Sequence, residues 1–167
     1  NQANDGDDDV IIICEDDHTF TKHYSRDAMM HNIIEAASQG VELLSGGIGG
    51  FGNAVPITAE RYWIDWLWCT QFIILYRPIF KKILEYDFKD TDTADGVLSE
   101  LTSHKMVLYP FISTQHYFGY SDVTSSNDEI SGKITEHFKQ ADKKMNIYHQ
   151  ANLRYLQNRH TADAEKH

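Results

Sequence analysis

The chain has 167 residues, a hydrophobic fraction of 41% and an aromatic fraction of 12%, enough apolar material for one folded domain. Its 25 acidic against 15 basic residues give a net charge of −10 and a sequence pI near 5.2. That balance excludes a phosphate-tracking nucleic-acid binder and disfavours docking on anionic lipid.

Residues 1–9, NQANDGDDD, are polar and acidic and read as a disordered tail ahead of a single domain over 10–160. The chain begins with Asn1 rather than Met, which reads as a processed or trimmed product. Compartment is left open. Val10 to Ile13 form a β-branched run ending at Cys14 and followed by Glu15-Asp16-Asp17-His18. The run is too short to classify by period. It reads as an extended segment laid over helices, or as a strand added to a partner's sheet.

From Ser25, an N-cap, Met29, Met30, Ile33, Ile34, Ala37, Val41 and Leu44 repeat at helical spacing, with Asp27 in the first turn. Gly40 lies inside that stripe, and Ser45 to Asn53 stops it with five glycines. Ile57 to Phe88 then reads as one long helix, apolar on more than one side and interrupted by Pro78. Trp63, Trp66, Leu67 and Ile73 fall on one face, and Trp68, Phe72 and Leu75 on the other. The uncharged run from Trp66 to Tyr76 is 11 residues, against about 20 for a bilayer span. A buried or interface helix is therefore expected.

Val97, Leu98 and Leu101, extended to Val107 or Leu108, predict a further helix after the polar stretch Lys89 to Thr93, which offers several N-caps. Ser126-Asn127-Asp128-Glu129 is a capping box for a last helix carrying Ile130, Ile134, Phe138, Ala141, Met145, Tyr148, Asn152 and Tyr155. That helix is expected to reach Arg159 and to fray into a tail over 161–167. The expected fold is all-α, an irregular bundle of four to five helices.

Motifs for chemistry are sparse. Gly46 to Gly52 lacks the lysine and strand context of a phosphate loop and reads as a flexible interhelical loop. No serine elbow occurs, and the carboxylates of the tail and of Glu15-Asp16-Asp17 read as mobile and solvated. Cys14 and Cys69 lack metal-ligand spacing. His137-Phe138 followed by Ala141-Asp142 and Met145 faintly resembles a segment of hemerythrin-like proteins, but the bridging ligand falls at Ala141, which cannot bind iron. His31 and Glu35 read as a solvated pair. Nine histidines leave a haem- or metal-binding bundle as an alternative, with His104 and His149 as axial ligands.

The leading functional expectation is a non-enzymatic helical interaction or assembly subunit, with a protein partner or self-association. Its interface residues are Trp68, Phe72, Leu75, Ile48 and Phe51. Cofactor-binding residues are not assigned. A membrane-active protein using the glycine-rich loop and the tryptophan segment is the third reading.

Overall fold

The computed structural model describes residues 6–115 and 131–164. In chain order the elements are β1 (Val10–Cys14), β2 (His18–Phe20), α1 (Arg26–Ser38), β3 (Leu43–Ser45), β4 (Ala54–Pro56), β5 (Arg61–Ile64) and β6 (Phe72–Tyr76). They are followed by α2 (Arg77–Glu85), α3 (Ala94–Leu101), β7 (Lys105–Leu108), β8 (Ser113–Gln115) and α4 (Ser131–Ala164). Six strands form one sheet in the order β1-β6-β3-β7-β5-β4, and β2 pairs with β8 in a second. The all-α bundle is thereby overturned: the fold is mixed α/β.

The long tryptophan helix is the largest correction. Its sequence is strand β5, an irregular turn over residues 65–71, strand β6 and then α2. All five residues of β6 are buried. A strand covered on both faces shows no alternation, so its β-branched and aromatic run imitates a helix that is apolar all round. Pro78 does not kink a helix but sits in the first turn of α2, where its missing N–H costs nothing. Val107 and Leu108 belong to β7, Leu44 to β3, and Val10 to Cys14 form β1 of the chain's own sheet.

Several local expectations hold. Ser25 Oγ accepts from Ala28 N at 3.4 Å, and Asp27 lies in the first turn of α1. Thr93 Oγ1 accepts from Gly96 N at 3.3 Å and caps α3. Gly40, however, lies beyond α1 rather than within it. Its φ of +71° lets Gly40 N donate to Ala37 O and Val41 N to Ala36 O, closing the helix end. The capping box at 126–129 falls outside the described residues.

Two apolar layers flank the sheet. Met29, Ile33 and Ala36 of α1 pack on Leu44, Ile74, Tyr76 and Met106. On the opposite face Ile79 and Phe80 of α2, Leu98 of α3, and Ala141 and Met145 of α4 pack with Leu43, Ile73, Leu75 and Val107. Helix α4 is further tied to the sheet by polar side chains. Lys144 Nζ donates to the carbonyls of Phe51 and Gly52, and Asn152 Nδ2 donates to Thr58 O at 2.9 Å.

Strand directions set up the site. β1 and β3 are both antiparallel to β6, and β7 is parallel to β3. The carboxyl ends of β1, β3 and β7 therefore lie along one end of the sheet, where ligands commonly bind in α/β folds.

Candidate functional site at the carboxyl end of the sheet

Three segments leave those carboxyl ends: Glu15 to His18 after β1, the glycine-rich segment after β3, and Tyr109 to Ser113 after β7. Backbone bonds join them. Glu15 N donates to Gln71 O at 3.0 Å, and Ile112 N and Ser113 N donate to Gly46 O at 2.8 and 3.1 Å. The glycine-rich segment is packed, not flexible. A Cβ on Gly47 would lie 2.1 Å from the carbonyl oxygen of Ser113, so only glycine fits there.

The turn after β1, which carries Glu15, Asp16 and Asp17, closes with His18 N donating to Glu15 O at 3.2 Å. Thr70 Oγ1 donates to Glu15 Oε1 at 2.6 Å, and Gln115 Nε2 donates to Asp17 Oδ2. The second carboxylate oxygen, Asp17 Oδ1, is enclosed with no donor among the described residues. His18 Nδ1 lies 2.8 Å from Ser113 Oγ, with its ring against Phe20 and Phe72. Burial pushes the His18 pKa below its ordinary value, and Asp17 opposes this only in part. Gln71, fully buried, donates from Nε2 to Gly47 O at 2.9 Å and approaches Ser113 Oγ at 3.4 Å. Its Oε1 has no donor either.

The acids of the turn have no described ion-pair partner. The ion pairs among the described residues use Glu35, Asp9, Glu85 and Glu42, none of them at the turn. Cys69 registers the excess. Burial, then Asp95, with further contributions from Glu15 and Asp17, pushes its thiol up to about 12. It is therefore no nucleophile at neutral pH. Its φ of +79° places Cys69 N to donate to Asp95 Oδ2 at 3.1 Å.

Of the residues singled out from sequence, Phe72 alone packs on this site, against the His18 ring. Ile48, Phe51, Phe72 and Leu75 are buried in this chain's own core, and Trp68 is half-buried with its ring against His137. His149 is half-buried with Nδ1 2.9 Å from Tyr62 OH, and exposed His104 lies 3.2 Å from Gly40 O. Glu35 lies 3.8 Å from His31 Nε2 but only 2.8 Å from Nη2 of the fully buried Arg61, so its main partner is Arg61. Cys14 and Cys69 are free thiols.

Among the described residues no three histidine, cysteine or acidic side chains converge to hold a metal ion by themselves. No described helix is long and apolar enough to cross a membrane. Sequence reasoning missed Gln71, Ser113 and Gln115 and dismissed Asp17. The available signal was the apolar run ending abruptly in three acids, the pattern of a strand leading into a polar site. Compared with protein-family models, curated proteins and solved structures, the chain shows no match to any of them.

Proposed function

We propose that the Glu15–Asp17 turn binds a divalent cation of the magnesium or manganese type together with a phosphate-bearing small ligand. The observation that supports this reading is the enclosed Asp17 Oδ1, which has no donor among the described residues and belongs to one of three successive acids that no described basic residue pairs with. Unopposed carboxylates attract a hard cation, whose preferred ligands are oxygens. With too few protein groups to enclose it, the ion keeps open positions for water and for a ligand's oxygens. Magnesium is commonly held in this way, by one or two carboxylates plus substrate phosphates. A phosphate alone would be repelled here, so ion and ligand bind together. A diphosphate suits the arrangement because two of its oxygens can chelate one ion. The chemistry supplied is charge neutralisation, of a bound diphosphate or of a diphosphate leaving group.

Calorimetric titration with manganese ion, alone and with pyrophosphate or a nucleoside diphosphate, tests the reading. It expects weak binding of the ion alone, tightened roughly tenfold or more by the diphosphate. Absence of binding under both conditions overturns it.

A second reading is an assembly domain that works packed against a protein partner. The observation favouring it is strand β1 at the sheet edge, where Ile12 and Ile13 are 45% and 42% exposed. Native mass spectrometry of material from source tests it, and a strict monomer there overturns it.

A further inference from the structure

We infer that the free edge of β1 receives an extended apolar strand from a protein partner, and that this strand carries basic residues at both ends. The inference rests on the assembly reading; at one end it draws on the same acids, Glu15 to Asp17, as the proposed cation site.

The two edges of the large sheet differ. β4 is three residues long and ends in Pro56, which has no N–H to offer a further strand. Natural proteins blunt sheet edges in this way. β1 has no such protection. It spans five residues, pairs among the described residues with β6 alone, and contains Val10, Ile11, Ile12 and Ile13 in succession. A run apolar on both faces belongs to a strand with neighbours on both sides and cover above and below.

That cover is incomplete. Val10 reaches the core layer under α1 and Ile11 reaches the opposite layer, so the first half of β1 is partly covered on both faces. Ile12 and Ile13 point to opposite faces, and both stand open. A helix laid on one face would cover one and leave the other. An extended strand with apolar side chains on both faces covers both and satisfies the backbone of the edge.

Charge identifies the partner. Asp7 and Asp8 lie exposed just before β1, and Glu15, Asp16 and Asp17 follow it. Antiparallel pairing of β1 with a second copy would bring the acids at one end of each strand against those at the other end of its mate. With a net charge of −10 per chain, self-pairing is disfavoured. A strand bracketed by lysine or arginine meets opposite charge at both ends. Because Glu15–Asp17 continues directly from β1, such a strand also borders the acidic turn.

The test uses the full chain and the labelled peptide KRVVIVVRK, with hydrogen exchange and binding as readouts. The peptide should protect the amides of β1, and N-methylation of alternate peptide residues should weaken binding roughly tenfold or more. The acid-flanked analogue EEVVIVVEE should not bind. The double variant Ile12→Thr/Ile13→Thr should lose affinity to a similar degree with an unchanged circular dichroism spectrum. If that variant does not fold, Asp7→Asn/Asp8→Asn must weaken the basic peptide instead. Equal binding of the N-methylated peptide, protection elsewhere, no binding, or a dimer of the chain alone with β1 protected overturns the inference. A complex recovered from source alongside any of these results would remove the edge and leave the assembly reading standing.

Discussion

Replacing Gly47 by alanine tests whether the glycine-rich segment is a packed joint. A Cβ there would lie 2.1 Å from Ser113 O and 3.1 Å from its carbonyl carbon, both backbone atoms. Ordinary contact requires a retreat of about 1 Å or more. That movement strains the bonds that Ile112 N and Ser113 N make to Gly46 O, each worth about 1 kcal/mol net. Overpacking adds roughly 1–3 kcal/mol. The expected loss is about 3–5 kcal/mol, a large share of a typical domain's stability. Gly50→Ala is the comparison. Its Cβ would meet Trp66 Cη2 at 3.1 Å, the tip of an exposed ring free to turn, so the loss should stay below about 1 kcal/mol. Urea unfolding followed by tryptophan fluorescence measures both variants. If Gly47→Ala costs no more than Gly50→Ala, the joint is not packed as described.

Acid sensitivity should follow from two histidines. Burial holds His18 and His149 below the ordinary value of 6.5, against smaller opposing effects of Asp17 and Glu60. Below about pH 6.5 the unfolded chain takes up protons that the folded chain refuses, so stability is full above that pH and falls through the folded values. For Asp65, burial alone would raise the pKa. Hydrogen bonds from Asn53, Trp66 and Gly52 outweigh it and hold the carboxyl below 3.8, so its loss comes at lower pH. Melting temperatures at about pH 7.5 and about pH 5.5 should differ, and less so in His149→Gln. Equal slopes would contradict this. Glu35→Ala leaves the buried Arg61 guanidinium with Asn32 O at 3.2 Å as its remaining described partner and should cost about 2 kcal/mol by denaturant titration; Arg61→Met should cost less. Lys105→Met removes the donor to Ser99 O and Thr102 O at the end of α3 and should cost about 1–3 kcal/mol, read in the same assay.

Helices whose amphipathic stripe and caps are local were legible in the sequence. Ser25 starts α1, Thr93 starts α3, and Phe138, Ala141 and Met145 form the buried face of α4. The sheet was not legible, because its most buried strand, β6, is apolar on both faces and its neighbours β1 and β3 are five and three residues long. Phe72 to Tyr76 offered no alternation, so their β-branched and aromatic content was the only guide, and Val107 and Leu108 happened to extend a helical stripe. The site depended on the same error. Once Val10 to Cys14 is a strand, Glu15 to His18 is an ordered turn rather than a solvated tail. Its partners come from far along the chain: Ser113 lies 95 residues beyond His18, and Gln115 lies 98 beyond Asp17. No spacing rule connects residues that only the sheet order brings together.

The cation site proposed for the acids after β1 is completed by a diphosphate. Manganese electron paramagnetic resonance on the intact chain, with and without pyrophosphate, tests it most directly when Asp17→Asn is compared with the parent. The substitution keeps the shape of the side chain and removes its charge. In the parent, pyrophosphate should deepen the protein-dependent loss of the free-manganese signal; in Asp17→Asn that deepening should be absent, with unchanged unfolding behaviour. Equal manganese binding in the two proteins would rule out Asp17 as a ligand and the site with it.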